Sequence, residues 1–247
     1  MKKIYLSSTL IASLLASLPL YAEDDIDDFG VYVGGDLTWS NWDYRMENNL
    51  TQTIPSTLSD SVDFGLSDGD LNGEGRLGAY MRWEDPQFLT AIEIFAAGQN
   101  AHDSYWGMSL LHLNTLAQEV TTQWSYGAEL KQGYFIDESW LAFAKLGIIE
   151  TEFKVNTQFG VQDPAGNELY TTHTDEPTLT GVRFGVGLEK FLTEYISIAG
   201  QVLYVVYEDY DNQVSATVTE ENANITDEVK MDTHAIQFGL GVNIYFL

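Results

Sequence analysis

A chain of 247 residues is long enough for one sizeable domain or two small ones. Its 37 acidic and 11 basic side chains and its lack of cysteine exclude disulfides and a lipid-modified cysteine. They also argue against a nucleic-acid partner, whose phosphates such a surface repels. Hydrophobic residues make up 45% and aromatic residues 13% of the chain, too much apolar surface for a disordered protein.

Residues 1–22 read as a cleaved secretory signal: the charged start "MKK", an apolar run and a small residue, Ala22, before the acidic "EDD". All 37 acids follow it, whereas Lys2 and Lys3 lie within it, so the remaining chain, 23–247, carries 9 bases and a net charge of −28. No later segment supplies the roughly 18 apolar residues of a spanning helix. A membrane location would therefore require a closed β-barrel, the other structure that satisfies every backbone polar group in lipid.

Alternation with a period of two then recurs along the chain. In "VYVGGDLTW" Val31, Val33, Leu37 and Trp39 oppose Tyr32, Gly34, Asp36 and Thr38. In "EGRLGAYMRW" Leu77, Ala79, Met81 and Trp83 oppose Glu74, Arg76, Gly78, Tyr80 and Arg82. "FLTAIEIFA" sets Phe88, Ile92 and Ile94 against Glu93, and "WSYGAELKQGYFI" sets Trp124, Tyr126, Leu130 and Tyr134 against Glu129 and Lys131. The fifth strand, "WLAFAKLGII", has Ala142, Ala144, Leu146 and Ile148 opposite Lys145, although Leu141 and Phe143 share the lysine's face. "GVRFGVGLE", "ISIAGQVLYVVY" and "HAIQFGLGVNIYFL" complete the series, with Arg183 and Glu189 on the small-residue face of the first. Eight strands result, an even number as closed membrane barrels use.

The connections alternate too. Those at 84–87, 137–139 and 192–195 are short, while the stretches near 43–72, 98–122, 153–177 and 209–232 are long. The pattern predicts four long extracellular loops, with the short turns and both chain ends in the periplasm. Within the second loop, 109–120 reads equally as an amphipathic helix or a strand extension.

Charge decides which face is wet. Arg76, Arg82, Lys131, Lys145 and Arg183 share the small-residue face with Asp36, Glu74, Glu93, Glu129 and Glu189, a balanced set, whereas the acidic excess falls in the presumed loops. Buried charges must be paired, and an eight-stranded barrel is just wide enough for side chains to fill it. The polar face is therefore expected inside and the oily face outside, with small glycines giving the long charged side chains room. Two aromatic girdles follow: Trp39, Trp124 and Tyr126 at the outer rim, and Trp83, Phe88, Tyr134 and Phe246 at the periplasmic rim. The expected fold is all-β, an eight-stranded antiparallel up-and-down transmembrane β-barrel.

The stretches "FGVYVGGDLTW", "YGAELKQGYFIDESWLAFAKLG", "GVRFGVGLEKFLTEYISIAGQVLYVVYEDY" and "HAIQFGLGVNIYFL" resemble the small outer-membrane β-barrels of Gram-negative bacteria, the OmpA-like and opacity-protein-like group. The resemblance implies outer-membrane location, insertion by the barrel-assembly machinery, and contact with outer-membrane lipid and lipopolysaccharide. It departs from the family pattern in ending on Leu247 after the outward aromatic Phe246, and in having no peptidoglycan-binding domain after the barrel.

In "SDGDLNGEG", Asp68, Asp70, Asn72 and Gly73 match the first half of an EF-hand calcium loop, a candidate weak calcium site, but Ala79 stands where the bidentate acid belongs. The histidines, His102, His112, His173 and His234, fall in presumed loops or at a strand end. Only His234 sits near the lipid rim, where barrel enzymes that cut acyl chains place a His–Ser pair, and it has no convincing serine partner, since Ser215 is merely in the loop before it. The expectation is a non-enzymatic scaffold without cofactor that displays acidic surface for adhesion or another surface interaction. A small porin or channel is the alternative, and a lipid-modifying enzyme the third reading.

Overall fold

The computed structural model describes residues 26–53, 57–83, 87–108, 114–162, 168–218 and 223–246. The presumed signal 1–22 lies outside them, as do 109–113 of the stretch left open between helix and strand. Among the described residues the strand segments are β1 (Ile26–Thr53), β2 (Thr57–Trp83), β3 (Phe88–Gly98), β4 (His102–Met108), β5 (Asn114–Phe135), β6 (Trp140–Gln162), β7 (Glu168–Asp175), β8 (Thr178–Phe191), β9 (Ile196–Tyr207), β10 (Tyr210–Val218) and β11 (Ala223–Phe246). An antiparallel ring of eight runs β1–β2–β3–β5–β6–β8–β9–β11 and closes back on β1. The segments β4, β7 and β10 prolong β3, β8 and β9 beyond short breaks.

The short connections at 136–139 and 192–195 are built as the sequence suggests. Asp137 accepts the amides of Ser139 and Trp140 at 2.8 Å each, which holds its carboxyl below the usual range. The hydroxyl of Thr193 accepts the amides of Tyr195 and Ile196 at 3.2 and 3.0 Å. These side chains do locally what a ladder does elsewhere.

Oily side chains face outward around the turn-bearing half. Leu37 and Leu71 are each 65% exposed and Leu240 is 73% exposed, which only a non-aqueous surrounding makes favourable. On β1 this belt runs from Phe29 to Trp39. That is about 33 Å of strand at 3.3 Å per residue, or about 25 Å of height at a tilt of about 40°.

Above the belt the structure differs from the expectation. The stretches near 43–72, 98–122, 153–177 and 209–232 are predominantly paired strand, not loops. β1 and β2 stay in register as far as Thr53↔Thr57, and β5 and β6, past a one-residue register shift between Thr122 and Ser125, remain paired as far as Asn114↔Val161. The described part of 109–120, residues 114–120, accordingly belongs to strand β5. The reason lies in a change of face. On β1 the apolar residues shift from odd positions (Leu37, Trp39) to even ones (Trp42, Tyr44, Met46), with Asp43, Arg45 and Glu47 now outside. On β6 they pass from Leu146 and Ile148 to Ile149, Phe153 and Val155, and on β11 from Ile236 to Ala235, Met231 and Val229. Water replaces lipid outside, so grease moves inside. The resulting core stacks Trp42 on Tyr207 and Tyr44 at 5.8 and 6.0 Å, with Phe153 edge-on to Trp42 at 5.9 Å.

The ring also divides there. Above Gly73↔Gly98 no ladder joins β2 to β4, and none joins β7 to β10, among the described residues. Two sheets, β4–β5–β6–β7 and β10–β11–β1–β2, face each other across the apolar core. The protein is a closed barrel below and a sandwich above.

Candidate functional site

The lumen is filled in three tiers. Lowest is an aromatic floor, where Tyr245 lies 4.9 Å from Tyr32 and 5.2 Å from Tyr80, with Leu89, Phe135 and Leu141 beside them. Alternation aims these residues inward, and small neighbours make space. A β-carbon on Gly78 would collide with the Tyr32 ring, and one on Gly34 would come within 2.7 Å of the Arg76 Nε.

The charged middle tier contains nine of the ten residues expected there. Arg183 binds Glu74 through two bonds of 2.8 and 3.0 Å, approaches Glu129 at 3.3 Å and lies over the Phe95 ring at 4.0 Å. Lys145 sits between Glu93 and Glu129, 2.6 Å from the latter. Lys131 pairs with Glu189, and Arg76 pairs with Asp36. The tenth residue, Arg82, departs from expectation. It is exposed at the turn-end mouth with its guanidinium 4.5 Å from the Phe135 ring, because its long side chain can reach water there instead of requiring a buried partner.

Its departure leaves four bases, Arg76, Lys131, Lys145 and Arg183, against five acids, Asp36, Glu74, Glu93, Glu129 and Glu189. Neutral donors offset the extra charge. Tyr32 donates to Glu93, and Ser197 donates to Glu189. Tyr245 and Asn243 each donate to Glu189 at 2.7 Å, and Gln201 donates to Asp36 at 2.7 Å. The uppermost tier is the apolar sandwich core. It is crossed by a reciprocal amide pair, Asn48 with Gln118, at 3.1 and 2.7 Å.

One buried group there has no match in the sequence reading. Asp227 is fully buried, neither carboxylate oxygen has a hydrogen-bond partner among the described residues, and burial pushes its pKa up to about 7. It falls in 209–232, a stretch read as loop, which hid its inward direction.

The calcium pattern dissolves. Residues 67–75 are regular strand within β2. Asp68 accepts the amides of Gly69 and His102 at 2.8 Å each, Asp70 accepts that of Asn100 at 2.7 Å, and Asn72 donates to Ser40 at 3.2 Å. In return, Asp103 accepts the amide of Ser67 at 2.8 Å. These aspartates bridge the gap between β2 and β4, so the side chains that suggested a metal loop stand in for a missing ladder. On the opposite gap Asp175 accepts from Tyr210 at 2.6 Å and from Asn212 at 3.0 Å. No group of three or more His, Asp or Glu side chains converges as a metal site among the described residues.

His234 lies 3.8 Å from Asp43, its ring 5.8 Å from that of Tyr204. His102 pairs with Glu119 at 3.3 Å, His173 is exposed, and His112 lies outside the described residues. Ser215 is in strand β10, not a loop.

The expected girdle residues Trp39, Phe88, Trp124, Tyr126, Tyr134 and Phe246 are all exposed, and Trp83 is half-buried. Trp39 packs on Phe238 at 5.6 Å near the top of the belt, and Phe88 meets Tyr134 at 5.5 Å near its base. Above the belt the outer wall is acidic: Asp43, Glu47, Glu152, Glu208, Asp211 and Asp232 are exposed, and the bases on this wall are Arg45, Lys154 and Lys230.

A family model, the outer membrane protein beta-barrel domain, matches residues 8–243. No curated protein matches the chain in sequence. Among solved structures, the attachment invasion locus protein Ail of Yersinia pestis matches at 10% identity over 84% of this chain and 98% of its own, with a TM-score of 0.33. Another Ail structure holds the heparin analogue sucrose octasulfate. Neisserial surface protein A matches at 11% identity over 89% of this chain and 100% of its own, also with a TM-score of 0.33. Identity and superposition this low carry nothing about activity, and the family match rests on the sequence itself. With a ring of eight strands, an oily belt and that match across nearly the whole chain, the protein belongs to the outer membrane β-barrel domain family and is a small barrel of the Gram-negative outer membrane.

Proposed function

We propose that the protein is a non-enzymatic envelope scaffold that holds a stiff acidic surface outside the cell for interaction with a cationic partner. The observation behind this reading is the continuation of the barrel wall into a packed sandwich whose outside is acidic and whose inside is apolar. It replaces mobile loops with a rigid platform as the display element. Its acids attract basic proteins or divalent cations bridging neighbouring lipopolysaccharide, and raise the rate of encounter. Polyanions of the heparin kind are repelled.

The filled lumen supports the scaffold over a channel, since conduction would require ion pairs such as Arg183–Glu74 to separate. Purified protein in a planar bilayer is expected to give no steady single-channel steps, and their appearance would overturn this reading. Cells with and without the protein are expected to yield lipid A of the same acyl count by mass spectrometry. Immobilised protein should capture polylysine in a salt-sensitive manner and leave heparin in solution. Retention of heparin instead would reverse the partner assignment.

A further inference from the structure

The belt is not uniform. Along β6 two successive outward side chains are small, Ala142 and Ala144, while the register neighbours of Ala142 are Tyr134 on β5 and Leu188 on β8. Leu188 in turn neighbours Gly200 on β9. Large and small side chains therefore alternate around the wall, and the gaps merge into a trough of about 1150 Å³. At its turn end Trp140 and Lys190 are register partners, with the lysine Nζ 5.1 Å from the indole ring.

That lysine is unusual by its position. Of the nine bases after the presumed signal, four are sealed in the lumen and three stand on the outer wall, which leaves Arg82 and Lys190 at the turn end. Arg82 lies over Phe135 at the mouth. Lys190 lines the trough. The nearby Asp137 accepts the amides of Ser139 and Trp140 on one oxygen, Oδ1, and its exposed carboxylate also feels the charge of Lys190.

We propose that this trough is a specific site for one phospholipid of the periplasmic leaflet. An acyl chain lies over Ala142 and Ala144 along β6, walled by Tyr134 and Leu188. The lipid phosphate meets the Lys190 ammonium, and the Trp140 ring sits at headgroup level beneath it. Apolar contact along the trough holds the chain, and the cation selects a phosphate-bearing lipid over a neutral one. A protein this acidic has few places where a phosphate is welcome, and this one adjoins a groove shaped for its tail.

Native mass spectrometry of the folded protein released from detergent tests the proposal, with phosphatidylglycerol and dioleoylglycerol as probes. Wild type is expected to retain one phosphatidylglycerol and to hold dioleoylglycerol more weakly. Lys190→Gln is expected to lower phosphatidylglycerol retention about fivefold, the worth of one lysine at an anionic surface, and to leave dioleoylglycerol unchanged. Ala144→Leu fills the floor and should lower both, whereas Ala96→Leu, elsewhere on the belt, should change neither. If Ala144→Leu fails the heat-shift test for folding on gels, Gly200→Val replaces it, since a β-carbon there meets only Leu240 at 3.5 Å. Equal retention of the two lipids, or trough variants that hold phosphatidylglycerol as wild type does, would overturn the site.

Discussion

Arg183 and Glu74 join strands on opposite sides of the barrel. β8 and β2 are four steps apart around the ring in either direction, and the guanidinium spans the lumen to bind the carboxylate twice. Replacing the arginine alone leaves Glu74 buried without its main partner. Arg183→Met is therefore expected to cost about 3–5 kcal/mol, read as a lower urea midpoint for the heat-modifiable gel shift. The double variant Arg183→Met/Glu74→Leu should recover most of that loss, because it removes both charges. If the double variant is as unstable as the single one, the cost comes from packing and not from the orphaned acid.

Trp42 anchors the outer core through Tyr44, Tyr207 and Phe153. Trp42→Ala is expected to destabilise the sandwich by about 3–5 kcal/mol, as large aromatic deletions do. The barrel below has its own tiers, so it should survive. Limited proteolysis in lipid would then cut above the belt and leave a protected membrane fragment. Loss of that fragment together with the sandwich would show that the two halves fold as one unit.

Asp227 makes the outer half sensitive to pH. An unfolded aspartate ionises near 4, whereas burial raises this one to about 7 with only the neighbouring Glu228 adding to the shift. Its contribution to stability is fully present below about pH 4, is lost as pH rises toward about 7, and is flat above that. Asp227→Asn should leave thermal stability unchanged at pH 4 and raise it at pH 8 by up to about 4 kcal/mol. An equal gain at both values would mean that ionisation is not the cause.

The gap between β2 and β4 is bridged by side chains, so it should respond to their loss. Removing Asp68 and Asp103 together frees the amides of His102 and Ser67. Hydrogen exchange at those two amides is expected to quicken about tenfold or more, since a charge-assisted bond contributes about 1.5–3 kcal/mol. Exchange within the β1–β11 ladder should not change. Unaltered rates at His102 would mean that the edges are held by something else.

The belt was readable in the sequence because Val31, Val33, Leu37 and Trp39 keep one parity and the charges keep the other. The inward set was readable for the same reason, apart from Arg82, whose position at a strand end lets it escape to water. The upper half was hidden by a reading that required the oily face to stay on one side. "NWDYRMEN" alternates as cleanly as "VYVGGDLTW", but with the faces exchanged, and only a change of solvent along one strand makes both halves the same element. The aspartates of 67–75 misled for a related reason. Spacing identifies a metal loop only if the backbone turns, and here β2 continues straight through.

The exchange of faces gives the molecule a waterline. A vertical slip of two residues would keep every ladder's facing intact, yet it would draw Arg45, Lys154 and Lys230 toward the acyl tails or lift Leu37 and Leu146 into water. Charged side chains of this kind cost about 2–4 kcal/mol each at mid-bilayer and less toward the surface, and several strands would be penalised together. The draught of the protein is therefore inscribed around its hull, and the sandwich stands at a fixed height above the lipid.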